Sequence, residues 1–247
     1  MKLLCWIRSL LGIFVILPLV TLVLCIAIFI NVFSINSKKV SDRIIGIWTK
    51  ACFFIFGVRF RLIGAENLPN EGCLYLFNHS SFFDIFGLYR LDPSLRFGAK
   101  IELFKIPIFG YAMRKTGTLP IPRNNLQEAI KVYTDAEHRG LAGERFALSP
   151  EGGRGAGGPT LRSFKSGPFI FAIRSKLLVV PVLLRGAEAI WPIGAIVPAT
   201  QQFFSELVVE VLPALDGKKY DIEERVVLRD LTYEKMSQAF NHSKDQT

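Results

Sequence analysis

The string NHSSFFD sets His79 and Asp84 five residues apart, between the apolar runs CLYLF and IFGLY. Histidine, with an unperturbed pKa of about 6.5, suits a proton acceptor near neutrality, and a nearby carboxylate can fix its tautomer. The same string has a structural reading. Ser81-x-x-Asp84 is a capping-box pattern, in which a hydroxyl covers the first amides of a helix and an acidic side chain reaches back. Five residues along one α-helix rotate a side chain by about 140°, so the pair meets only if His79 lies in a turn and Asp84 in the first helical turn. NHS recurs at Asn241–Ser243 with no acid five residues after His242, so the tripeptide alone carries little.

A second cluster, SPEGGRGAGG (Ser149 to Gly158), directly follows the strand-like ERFAL. A glycine-rich loop after a strand can bring exposed amides against a phosphate, and Glu151 and Arg154 stand where sites on α/β sheets form. The alternative is a plain surface loop. Ala99 to Arg123 concentrates Lys100, Lys105, Arg114, Lys115 and Arg123 among aromatic and aliphatic residues. Such a surface suits an amphiphile with an anionic head, or else long basic side chains simply cover apolar surface. There is no Walker-type G-x-x-x-x-G-K-[ST] and no G-x-S-x-G nucleophile elbow. His138 falls in a helical stretch with a surface role.

Elements must hold these residues, and composition bounds them. The 247 residues carry a net charge of +9, yet half are hydrophobic, including 21 Phe. A nucleic-acid binder would be more polar; basic charge with an apolar excess points to a membrane surface with anionic lipids. Cys5, Cys25, Cys52 and Cys73 are scattered, which suggests neither a disulfide framework nor a zinc site. No charge interrupts the chain between Arg8 and Lys38. Its apolar core, of about 24 residues, is long enough to cross a hydrocarbon layer and reads as an uncleaved anchor with a kink at Pro18. Ile44 to Val58 is shorter, carries Lys50, and reads as an interfacial or re-entrant helix. Lys38, Lys39, Arg43 and Lys50 outnumber Lys2 and Arg8, which places the bulk of the chain on the cytoplasmic face of a membrane. A helix entering one leaflet only would make that rule moot.

From Arg59 short strands alternate with helices. VRFRLIG, CLYLF, LRFGA, GTLPI, ERFALS, LLVVPVLL and ELVVEVL are strand candidates, with Pro181 suggesting an edge or a bulge. NLQEAIKVYTDAEHRG is a predicted helix with Asn125 and Glu128 as a capping pair and Gly140 as its stop, and FKSGPFIFAIRSK is another. NHSKDQT reads as a frayed end. The fold class is α/β: a central mixed sheet flanked by helices, preceded by membrane helices. The expected division is an anchor over 1–57 and an α/β domain over 58–247.

Taken in order, these blocks resemble the glycerolipid acyltransferases, the 1-acylglycerol-3-phosphate acyltransferase family. NHSSFFD is similar to the family's NH-x4-D. Lys100 to Leu103 matches K-x-E-L, followed by Pro107, Gly110 and G-x-x-x-I-x-R from Gly117 to Arg123. SPEGGRG resembles FPEGTRS and is followed by the F-K-x-G of Phe164 to Gly167, and VVPV resembles the last block. Two departures stand in the third block, where Ser149 replaces an aromatic and Gly153 a threonine; Gly155 also replaces a common serine.

The resemblance implies acyl transfer from acyl-CoA or acyl-carrier protein to a lysophospholipid, giving phosphatidic acid in phospholipid synthesis. It implies His79 as base, Asp84 as its orienting partner, and Arg123, Glu151, Gly152 and Arg154 as the acceptor-phosphate region, with Lys100 a further contributor. The expected partners are the lysophospholipid, the acyl donor and the bilayer, with no nucleic acid, resident cofactor or metal. The alternatives are acylation or transacylation of another lysolipid, and a non-catalytic protein that binds anionic lipid.

Overall fold

The computed structural model describes residues 2–31, 37–122, 124–155 and 160–242. Helix α1 (Lys2–Leu11) passes through a π-helical turn (Gly12–Ile16) into α2 (Leu17–Asn31). Lys2–Ile30 is long and apolar enough, by length and composition, to cross a membrane. The i→i+5 turn precedes Pro18, whose missing N–H disturbs the i→i−4 ladder, so the kink expected at Pro18 takes this form. Helix α3 (Ser37–Ile55) follows, then β1 (Val58–Ile63), β2 (Cys73–Phe77), α4 (Phe83–Leu91) and β3 (Arg96–Lys100). Next come α5 (Phe109–Lys115), β4 (Leu119–Ile121), α6 (Leu126–Leu141), β5 (Phe146–Leu148) and α7 (Gly167–Arg174). The chain continues through β6 (Leu178–Arg185), α8 (Ala187–Ile190), β7 (Ser205–Val211), β8 (Leu215–Asp216) and α9 (Arg225–His242).

The strands form one mixed sheet in the order β1-β7-β6-β2-β5-β3-β4, with β8 also paired to β6. β6, β2, β5, β3 and β4 run parallel, while β7 meets β6 antiparallel and β1 lies parallel to β7. The five parallel strands therefore end at one edge, the place where α/β sheets assemble sites.

Every residue of β2 is buried, as a central strand covered on both faces requires. Alternation sends Cys73, Tyr75 and Phe77 to one face with Val180, Val182 and Leu184 of β6, under α3 and α4. Leu74 and Leu76 go to the other face with Val179 and Leu183, under Tyr133 and Ala136 of α6, Phe171 of α7 and Leu228 and Met236 of α9.

The mixed α/β sheet agrees with the sequence reading, and several local expectations are corrected. β6 is an interior strand, not an edge. Pro181 opposes Leu76 of β2, and on the other flank it stands where the partner changes from β7 (Val182↔Val211) to β8 (Val179↔Leu215), so the missing N–H interrupts no ladder. Helix α6 runs through Gly140 to Leu141; Gly143, at φ 84°, takes the left-handed conformation just beyond it. The Asn125 side chain does cap that helix, accepting from the Gln127 and Glu128 amides.

Helix α3 is more than an interfacial element. Ile45, Cys52, Phe53 and Phe56 are buried in the core above the sheet, while Ile47 and Phe54 face out. That amphipathic helix, assigned by sequence to the anchor, supplies the cover of one face of the sheet. Its first turns are tied down by Asp42, which pairs bidentately with Arg96 at 2.7 and 3.2 Å; the Arg96 side chain is only 2% exposed. Asp42→Ala leaves that guanidinium buried without its partner, so equilibrium unfolding should show a loss of about 3–5 kcal/mol. The four cysteines are free and buried. Asn241 and His242 belong to α9, and the rest of the tail lies outside the described residues.

Candidate active site

β2 ends at Phe77, and the turn into α4 carries His79. Asn78, buried at the strand end, extends the β2–β6 ladder with its side chain. Its Nδ2 donates to Leu184 O at 3.0 Å and its Oδ1 accepts from Leu184 N at 2.8 Å. The amide group mimics a peptide and fixes where the turn begins. His79 follows in the turn, and Asp84 is the second residue of α4, an arrangement that lets side chains five residues apart meet. They do so with Nδ1 2.8 Å from Oδ2, at side-chain exposures of 11% and 0%. Asp84 Oδ2 also accepts from the Ser80 and Ser81 amides at 2.9 and 2.8 Å.

The capping reading holds alongside the chemical one. Ser81 Oγ accepts from the Phe83 amide at 3.1 Å and donates to Trp191 O at 2.8 Å, while Asp84 reaches back as the acidic member of the box. The aspartate that caps the turn also holds the imidazole. With Nδ1 on Asp84, Nε2 is the ring nitrogen left for a substrate.

The loop after β5 clamps the histidine from the other side. Glu151 is buried, and its Oε1 accepts from the His79 amide at 3.0 Å; Gly155 N donates to His79 O at 2.7 Å. Both backbone groups of His79 are thereby held by SPEGGRG. Burial pushes the Glu151 carboxyl above its ordinary range, opposed by hydrogen bonds from the His79 and Arg162 amides. Gly152, at φ 76°, closes the turn by donating to Ser149 O at 3.1 Å. A Cβ there would lie 2.7 Å from Lys165 Cε and 2.8 Å from its Nζ, so the lysine lies across a residue that only glycine suits.

A cavity of about 1080 Å³ runs past His79. Much of its wall is apolar, including Leu24, Cys25 and Ile28 of α2, Ile44 and Trp48 of α3, and Ala112 of α5. The wall also carries the cations Arg154, Lys165, and Arg225 and Arg229 of α9, with Lys100 at the end of β3. Lys100 is half exposed and only loosely paired with Glu102, at 3.7 Å. Of the residues singled out from sequence, His79, Lys100, Gly152 and Arg154 line this one cavity, and Glu151 stands behind His79. Arg123 lies outside the described residues; its neighbours Pro122 and Asn124 are in the wall.

Sequence reasoning passed over Asn78, Lys165, Arg225 and Arg229. The F-K-x-G block contains Lys165 without stating its role. Arg225 and Arg229, one turn apart on a helix more than sixty residues beyond the loop, give no local sign.

A family model described as Acyltransferase matches residues 59–185. A chloroplastic 1-acyl-sn-glycerol-3-phosphate acyltransferase of Arabidopsis thaliana is 32% identical over 169 residues, covering 68% of this chain and 47% of that protein. A 1-acyl-sn-glycerol-3-phosphate acyltransferase of Helicobacter pylori is 32% identical over 136 residues, 54% of this chain and 56% of that one. The chain spans about half the length of the curated relatives it matches. Among solved structures, the 1-acyl-sn-glycerophosphate acyltransferase PlsC of Thermotoga maritima has the same fold. Its TM-score is 0.75 at 21% identity, over 98% of this chain and 94% of that one.

Proposed function

The chain belongs to the acyltransferase family, and from that premise we propose that it moves a fatty acyl group from acyl-CoA or acyl-carrier protein to the free hydroxyl of 1-acylglycerol-3-phosphate, giving phosphatidic acid. The observation that carries this reading is one cavity whose lining combines a large apolar surface, a group of cations and His79. That combination of lining residues matches an amphiphile with an anionic head.

In the proposed reaction His79 Nε2 takes the proton of the acceptor hydroxyl as its oxygen attacks the thioester carbonyl. The C–O bond forms, the C–S bond breaks, and the imidazolium returns the proton to the leaving thiolate. Asp84 holds Nδ1–H and stabilises the imidazolium. The acceptor's own hydroxyl is the nucleophile, so no covalent enzyme intermediate and no resident cofactor or metal is needed. Arg154 and Lys165, with Lys100 and Arg123, take the acceptor phosphate, aided by backbone amides of the glycine-rich loop. Glu151 contributes by positioning, since its carboxylate is turned to the His79 amide and would repel a phosphate.

Arg154→Gln removes a charge from that rim, so KM for lysophosphatidic acid should rise about tenfold to a hundredfold, with a smaller change for a lysolipid of neutral head group. A matrix of donors and acceptors tests the function itself. Preference for the phosphate monoester is expected; preference for a neutral head group would instead favour acylation of another lysolipid. Gly153 and Gly155, which lack the hydroxyls of the family pattern, are the feature that favours that second reading.

The proposed location is a membrane surface, with the α/β domain on the cytoplasmic face. Helix α1–α2 is joined to the domain along its length. Arg8 donates to carbonyls of residues 199–203, Gly12 packs on Ile55 and Phe56, and Thr21 accepts from Trp48 Nε1 at 3.0 Å. Cys25 and Ile28 meet Ala112, and Phe29 lies 5.3 Å from Tyr111. Residues 8 to 29 span about 30 Å of helix. A helix docked over that distance supports a place along one leaflet rather than across two.

A further inference from the structure

We propose that the loop between α8 and β7, residues 191–204, is a second membrane-inserting element that seats the cavity wall at Phe82 close to a lipid surface containing anionic headgroups. The proposal rests on the membrane reading above and extends it to a segment that neither the anchor nor the catalytic motif accounts for.

Surface loops are usually polar, yet from Ala189 to Ser205 this chain has no charged residue. Its apolar side chains are turned outward: Ile196 is 72% exposed and Phe204 57%, with Ile193 and Phe203 also exposed. The loop is also built to hold that shape. Trp191 Nε1 donates to Ala195 O at 2.9 Å, and Ala199 N donates to Ile190 O at 2.6 Å. From helix α1, Arg8 donates to the carbonyls of Ala199, Gln202 and Phe203, and Ser9 Oγ donates to Ala199 O at 3.2 Å. Exposed apolar side chains on a braced loop point to an apolar partner.

Three observations favour lipid. First, α1 itself braces the loop through Arg8 and Ser9, and Leu4, Ile7 and Leu11 of the same helix are exposed apolar residues. Phe54 of α3, 88% exposed, stands three residues before Gly57, whose O accepts from Ser205 N at 3.0 Å. Second, the Arg8 guanidinium lies 4.7 Å from the centre of the Phe203 ring, and Arg59 lies 5.2 Å from that of Phe204. Aromatic rings beside arginines suit the headgroup layer, where the ring enters the apolar boundary and the cation meets anionic lipid. Third, the loop is tied to the catalytic turn. Trp191 O accepts from Ser81 Oγ at 2.8 Å, and the Trp191 ring lies 5.2 Å from Phe82, a residue of the cavity wall. Seating the loop in lipid therefore brings the cavity wall at Phe82 close to the surface that holds an acyl-chain substrate.

The test uses full-length protein with Ile196→Cys labelled by an environment-sensitive fluorophore, mixed with vesicles of phosphatidylcholine and phosphatidylglycerol that contain spin-labelled quencher lipids. Labels at Phe14→Cys on the π-helical turn and Gln127→Cys on α6 provide the comparisons. The expected result is a blue shift and quenching at 196 and 14 but not at 127, together with a loss of about tenfold in turnover of vesicle-presented acceptor by the double variant Ile196→Asp, Phe204→Asp. Quenching at 14 without quenching at 196 overturns the loop proposal and leaves the membrane reading standing. Absence of quenching at both overturns both.

Discussion

Alanine at position 79 is expected to lower acyl transfer about a thousandfold or more while the protein stays folded. General-base catalysis by a positioned imidazole contributes about 10²–10⁴ in rate, and SPEGGRG provides no second base within the cavity. The fold should tolerate the change because His79 is held mainly through its backbone, by Glu151 Oε1 and by Gly155 N. Asp84 Oδ2 keeps the Ser80 and Ser81 amides as partners when the imidazole is gone. Initial rates on purified protein, beside a thermal unfolding curve that overlays the wild type, check this. A variant of wild-type fold that turned over at the wild-type rate would remove His79 from the mechanism.

Asp84→Asn should cost nearly as much activity, and stability as well. Asp84 is fully buried; Oδ2 accepts from three donors, and among the described residues Oδ1 has no partner. An asparagine must turn its oxygen to the Ser80 and Ser81 amides, which leaves its NH2 where Oδ1 stood, buried and without an acceptor. That orphaned donor costs about 1–3 kcal/mol, measurable by denaturant unfolding. Loss of the negative charge removes support for the imidazolium, with a drop in transfer of about 10³–10⁴. If the asparagine variant kept near-wild-type turnover, Asp84 would be only a helix cap.

Much of this arrangement was legible in the sequence. Strand candidates from VRFRLIG to ELVVEVL correspond to β1 to β7, because buried strands must be apolar and β-branched whatever their order in the sheet. The His79–Asp84 contact followed from the spacing once a turn was placed before the helix. Other features depend on what lies across space. Pro181 looked like an edge residue because a single strand does not reveal that its neighbour changes from β7 to β8 at that point. Glu151 read as part of a phosphate site, whereas its carboxylate faces the His79 amide, a partner 72 positions earlier in the chain. The apolar wall of the cavity was out of reach for the same reason. It is assembled from α2, α3 and α5, helices whose local patterns report an anchor and a basic surface but not the space enclosed between them. Arg225 and Arg229 reach the cavity only through the packing of α9 on the sheet.

The most direct test of acyl transfer to a lysolipid hydroxyl is release of free thiol from acyl-CoA or acyl-carrier protein, measured on the purified full-length chain with and without lysophosphatidic acid. Release that requires the acceptor, yields phosphatidic acid in equal amount and disappears in His79→Ala is the expected result. Thiol release that proceeds equally without the acceptor, or no transfer from any donor despite salt-sensitive binding to anionic vesicles, would contradict it.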